Sequence, residues 1–146
     1  MKSLLLPEAA SKHPGREQPE NLTMIYGIGI DIVKIERMKT AVGRWDRKFL
    51  DRVFTEKEII YAYKKNNPYL SLSVRFAAKE ALIKAVASPK PISLKEIEIL
   101  NQEGGRPVIN VTGRLRTFFD KNTIRCTHVS LSHEQEFGVA CVVLEK

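Results

Sequence analysis

No apolar run in these 146 residues approaches the ~20 residues that a membrane-spanning helix needs. The only early apolar cluster, Leu4-Leu5-Leu6, is shorter than the roughly 7–15 residue core of a secretory signal. These two shortages argue against a membrane protein and predict a cytoplasmic one. Cysteine is equally scarce. Cys126 and Cys141 stand without close metal-ligand spacing, which predicts reduced thiols buried in strands rather than a disulfide or a zinc site. Acidic residues are outnumbered, 17 against 24 Lys and Arg, for a formal charge of +7. Lys2, Lys12 and Arg16 are cancelled by Glu8, Glu17 and Glu20, so the excess lies in residues 24–146. Such a surface attracts anions: nucleic acid, a phosphorylated cofactor or an acidic protein.

What is present fits one domain. The length suffices for a single hydrophobic core, and 43% hydrophobic with 28% charged residues is the balance of an ordinary globular protein. Residues 1–23, with Pro7, Pro14, Gly15 and Pro19 and no apolar period, read as an N-terminal tail, and 24–146 as the domain. Ile28, Ile30 and Ile32 alternate with Gly27, Gly29 and Asp31, the period of a strand with one apolar face. Asp31 therefore shares its face with two glycines, which leave room for a ligand or another backbone to come close. On the residues alone it either borders such a site or caps the helix that follows.

A short helix over about 34–42 is expected to end at Gly43, with a second helical piece over 45–53. Thr55 and Glu58 have the spacing of a capping box, which makes Glu58 a cap rather than a catalyst. The helix they start carries Ile59, Ile60 and Tyr63 and stops at Asn66-Asn67-Pro68. The longest helix is expected over about 70–87, with Leu72, Phe76, Ile83 and Val86 forming its core stripe. Lys79 projects into that stripe, where a cation must pair or meet a bound anion; we read it as a structural ion pair. Glu80 and Lys84, one turn apart beside the small Ser73 and Ala77, form either an exposed helix pair or one wall of a cleft. Strands at 97–100 and 108–111 flank a Gly104-Gly105 turn. A helix with Leu115, Phe118 and Phe119 follows, then a hairpin of 128–133 and 137–144. The fold class is α+β, helices packed on an antiparallel sheet.

Gly27-Ile28-Gly29-Ile30-Asp31-Ile32, Phe54-Thr55 with Glu58, and Arg75-Phe76-Ala77-Ala78-Lys79-Glu80-Ala81 with Lys84 occur in that order. Gly105-Arg106-Pro107 and His128-Val129-Ser130-Leu131-Ser132-His133 follow. The set resembles the holo-acyl-carrier-protein synthases over about residues 24–144. The resemblance implies the 4′-phosphopantetheinyl transferase fold, one domain per chain. It also implies transfer of the 4′-phosphopantetheine arm of coenzyme A to a serine of apo-acyl carrier protein, with release of adenosine 3′,5′-bisphosphate, in support of fatty acid biosynthesis.

By the same resemblance Asp31 and Glu80 hold Mg²⁺, a cation that prefers a few carboxylates together with phosphate oxygens and waters. Lys84 contacts the pyrophosphate, and Glu80, or a metal-bound water that it orients, is the base for the carrier serine. Arg75 and His133 meet phosphates of the nucleotide, Arg75 the 3′-phosphate, while His128 faces the other side of its strand and is left out. Arg37 is the carrier-docking arginine, with Arg44, Arg47 and Lys48 as neighbours. The implied assembly is a homotrimer with sites between subunits.

The chain departs from the family after Ala85. A glycine-rich loop is replaced by the shorter Val86-Ala87-Ser88-Pro89-Lys90-Pro91, so the loop's contacts with coenzyme A do not carry over. Two rivals stay open at this level. One is a basic RNA- or nucleotide-binding module, disfavoured because no aromatic pair sits on a strand for base stacking. The other is an inactive relative that binds carrier protein or coenzyme A.

Overall fold

The computed structural model describes residues 22–146. All of the tail read over 1–23 except Leu22 and Thr23 lies outside the described residues. The chain runs through β1 (Ile25–Lys34), α1 (Ile35–Val53), α2 (Glu56–Tyr63), α3 (Pro68–Val86) and a single 3₁₀ turn (Leu94–Glu96). It continues through β2 (Ile97–Asn101), β3 (Pro107–Val111), α4 (Gly113–Lys121), β4 (Cys126–His133) and β5 (Phe137–Glu145). β1, β5 and β4 form an antiparallel sheet in that order, and β2 with β3 forms a separate antiparallel hairpin. The α+β architecture expected from the sequence is the one observed.

The strand β1 is apolar on the side that no described element covers. Ile28, Ile30 and Ile32 are each about 60% exposed, whereas the glycine side packs on α3. A Cβ on Gly27 would lie 2.0 Å from the Ala85 carbonyl oxygen, and one on Gly29 would lie 1.8 Å from that of Ala81. The glycines are therefore required for backbone-to-backbone packing of helix on strand. This packing brings the last residue of the glycine face, Asp31, against the same helix.

The helix α3 corrects the stripe expected from the sequence. Ser71 to Arg75, Ala77 to Lys79, Ala81, Leu82, Ala85 and Val86 are all buried, so the helix is covered on nearly every side. Phe76 and Ile83, assigned to the core stripe, are only half-buried. The small residues Ala77, Ala78, Ala81 and Ala85 face the cluster with Ala140, Val142 and Leu144 of β5. Leu72 joins Met38, Val42 and Leu50 of α1, Phe54 just after it, and Ile59 of α2. Asn67 caps the helix through Leu70 N–H and Pro68 stands in its first turn, as both residue types favour.

Lys79 is wholly buried and forms the expected ion pair. Its Nζ donates to Glu58 Oε2 at 2.8 Å and to the carbonyls of Val53 and Leu94. Glu58 also accepts from the Thr55 and Ile99 amides, so the capping box anchors α2 to β2 as well as starting the helix. Breaking such a pair from one side costs about 3–5 kcal/mol, because the remaining charge is left buried.

Two local expectations change. The break in α1 falls at Asp46 (φ 44°, ψ −130°) and not at Gly43. The cysteines lie in strands and are free, but Cys126 is exposed and Cys141 half-buried; their strands have one face open. At the end of α3, Ala87 takes the left-handed conformation (φ 49°) that glycine ordinarily supplies. Among the described residues no helix is long and apolar enough to cross a membrane.

Candidate active site

The close seat of β1 on α3 places Asp31 opposite Glu80 and Lys84. Lys84 Nζ donates to Asp31 Oδ1 at 2.8 Å and to the Ile30 carbonyl at 2.9 Å. Asp31 is therefore no helix cap: Lys34 precedes α1 and makes no side-chain capping bond. Asp31 and Glu80 line one cleft of about 440 Å³ together with Arg37 and Met38 from α1 and Phe49 and Phe76 behind them. Glu80 is held above the usual carboxyl value, first by burial and then by the charge of Asp31, with Lys84 pulling the other way. Two acids and a lysine thus meet at a half-buried surface, although far apart in sequence.

These groups suit a divalent cation on their own chemistry. The two carboxylates offer hard oxygen donors, and their mutual repulsion is the kind of charge that a cation neutralises. The Lys84 ammonium stands in for such a charge on Asp31. Among the described residues no group of three or more His, Cys, Asp and Glu side chains is gathered as a ready-made metal site.

The other candidate residues divide. Arg37 lines the cleft with both acids. Arg44 lies over the exposed Trp45, 5.2 Å from the ring centroid, and Lys48 is exposed on the same helix. Arg47 is paired with Asp51 at 2.7 Å and also with Glu56. His133 is exposed at the end of β4, while His128 meets Glu145 at 2.9 Å. Arg75 is only 2% exposed and does not line the cleft. Its guanidinium is engaged by Ser71 and Asn101 and lies over Tyr61, and burial pulls its pKa below the usual arginine value.

Sequence reasoning missed Trp45, Tyr61 and Asn101. Trp45 had a signal, as the chain's single tryptophan set among cations. Tyr61 and Asn101 had none, because their importance lies in contacts across elements. Lys65 approaches the same Tyr61 ring at 4.7 Å, so two cations gather at this aromatic.

Comparison with known proteins places the chain in a family. The family model of the 4′-phosphopantetheinyl transferase superfamily matches residues 27–142. The holo-[acyl-carrier-protein] synthase of Thermodesulfovibrio yellowstonii is 41% identical over 121 residues, covering 83% of this chain and 99% of that protein. The crystal structure of the holo-[acyl-carrier-protein] synthase from Neisseria meningitidis superposes with a TM-score of 0.78 at 33% identity, covering 84% of this chain and all of that one. The Helicobacter pylori enzyme, solved in complex with coenzyme A, gives 0.71 at 33% identity, covering 80% of this chain and 98% of that one.

Proposed function

The chain belongs to the 4′-phosphopantetheinyl transferase superfamily, and from that premise we propose that it works as a holo-acyl-carrier-protein synthase. It moves the 4′-phosphopantetheine arm of coenzyme A to a serine of apo-acyl carrier protein, releases adenosine 3′,5′-bisphosphate, and supports fatty acid biosynthesis. The observation that carries this reading is the meeting of Asp31 and Glu80 in one cleft, with Lys84 bonded to Asp31.

Asp31 and Glu80 would hold Mg²⁺. When bound, the ion withdraws charge from the pyrophosphate oxygens of coenzyme A. The remaining work belongs to the chain. Lys84 is 55% exposed on a flexible stem, so its ammonium can exchange Asp31 for a pyrophosphate oxygen. Glu80, half-buried in the cleft beside Asp31, is placed to accept the serine proton as the hydroxyl oxygen attacks the β-phosphorus. The bond from that phosphorus to the bridging oxygen breaks, and the nucleotide leaves with the electron pair. Family resemblance gives Arg75 the 3′-phosphate, which it would meet with the N–H groups that Ser71 and Asn101 leave unbonded, and His133 a neighbouring phosphate.

The acidic carrier docks along α1 on Arg37, Arg44, Arg47 and Lys48. Arg37 shares the cleft with the carboxylates, which links docking to the reacting centre. Arg47 must trade Asp51 and Glu56 for the carrier's acids, so docking weakens as salt rises. The assembly is a homotrimer that covers the apolar outer face of β1, with active sites between subunits. Exposed isoleucines in a row are the support for that face.

Intact-mass measurement of apo-carrier incubated with coenzyme A and the protein tests this reading. One phosphopantetheine per carrier is expected with Mg²⁺ and none with a chelator. Undiminished transfer under chelation would remove the metal from the account, and no transfer at any Mg²⁺ concentration would remove the enzyme.

A further inference from the structure

Among the described residues Arg75 and Lys79 are the two buried cations. Its Nη1 donates to Ser71 Oγ at 2.7 Å, its Nη2 donates to Asn101 Oδ1 at 2.5 Å, and its Cζ sits 4.1 Å from the Tyr61 ring centroid. Its Nε is buried and has no partner in the chain. A guanidinium carries five donors in a fixed fork, so fixing two edges and one face sets the direction of the remaining N–H groups.

Asn101 is placed to do more than accept one bond. It is the last residue of β2, and its Nδ2 donates to the Gly105 carbonyl at 2.8 Å. That carbonyl belongs to a turn closed by Gln102 N–H on Arg106 O and by Gly105 N–H on Gln102 O, both at 2.9 Å. Gly104 and Gly105 hold φ of 88° and 87° there, which only glycine adopts without strain. One amide therefore has its oxygen on α3 and its nitrogen on the β2–β3 turn, the turn that presents the exposed Arg106.

We infer that Asn101 is a positioning residue that aims the Arg75 guanidinium and so sets the preference for coenzyme A over its 3′-dephospho form. The inference rests on the proposed contact of Arg75 with the 3′-phosphate. Removing the Asn101 acceptor leaves Nη2 buried and unpaired and frees the guanidinium to turn, which weakens its grip on a phosphate without touching the carboxylates at the reacting centre.

The test compares kcat/KM for coenzyme A and for 3′-dephospho-coenzyme A in the parent, Asn101→Ala, Asn101→Asp and Arg75→Ala. The ratio of the two values is independent of how much of each preparation is folded. Asn101→Ala is expected to lower that ratio about tenfold, through KM for coenzyme A with kcat nearly unchanged. Asn101→Asp keeps an acceptor for Nη2 but adds a negative charge that competes with a phosphate for the guanidinium and turns a carboxylate oxygen on the Gly105 carbonyl. It too is expected to lower the ratio, and a parental ratio in this variant would count against the inference. A parental ratio in Asn101→Ala alongside a lost ratio in Arg75→Ala would overturn the inference and leave the Arg75 contact standing. A parental ratio in Arg75→Ala would overturn both.

Discussion

At the scale of single residues, the chemistry turns on what surrounds Glu80. Burial and the nearby Asp31 both raise its pKa, and Lys84 offsets only part of that rise. For a carboxyl raised in the folded state, the stability tied to its protonated form is fully present below the ordinary glutamate range. It is lost as pH rises through the folded-state value. At neutral pH the parent carries that penalty. In buffer free of divalent cations, Glu80→Gln is therefore expected to melt at a higher temperature than the parent near neutrality, with the gap closing at about pH 4. A melting temperature equal to or below the parent's at neutral pH would contradict the electrostatic account. The same residue shows the limit of sequence alone: Glu80 and Lys84 are one helical turn apart, and only the fold brings Asp31 to Lys84.

At the scale of elements, the decisive contact is β1 against α3. The absence of side chains at Gly27 and Gly29 lets the strand touch the backbone of Ala81 and Ala85. Gly29→Ala is expected to cost about 3 kcal/mol or more, because its Cβ would meet a carbonyl oxygen that cannot move without shifting the helix. Chemical denaturation reads this directly; a loss under about 1 kcal/mol would mean that strand and helix are not so closely seated.

Much of this level was legible in the sequence. The alternation at 27–32, the capping box at Thr55 and Glu58, and both hairpins lie within two or three residues of their places. Which face of β1 is covered was not legible, because period-2 alternation distinguishes two faces without saying which one a helix will take. The small residues along α3 were read only as a possible cleft wall at Ser73 and Ala77, not as a packing face. Ala77, Ala81 and Ala85 count little in an amphipathic stripe, yet they permit close packing. Gly43 drew the expected break in α1 away from Asp46 because positive φ in an aspartate leaves no mark in composition.

At the scale of the whole molecule, the sheet has one side on α3 and one side left open by the described residues. Ile28, Ile30 and Ile32 face outward between 60% and 62% exposed, with Phe137 near them on the paired strand at 38%. A row of this kind favours association, and β5 continues it with half-buried Val139, Cys141 and Val143. Ile30→Lys puts a charge in the middle of the row. Light scattering after gel filtration is expected to show the parent at three times the chain mass and the variant at one. A variant that stays at the parental mass would place the interface elsewhere on the surface.

The cleft between β1 and α3 holds the account together, since fold, charge and chemistry meet at Asp31 and Glu80. The most direct test is carrier modification, followed by intact mass, with Asp31→Ala and Glu80→Ala against the parent at saturating Mg²⁺ and coenzyme A. Both variants are expected to retain the parent's circular dichroism and to transfer no phosphopantetheine. Near-parental transfer by either one would contradict the assignment of this carboxylate pair as the reacting centre.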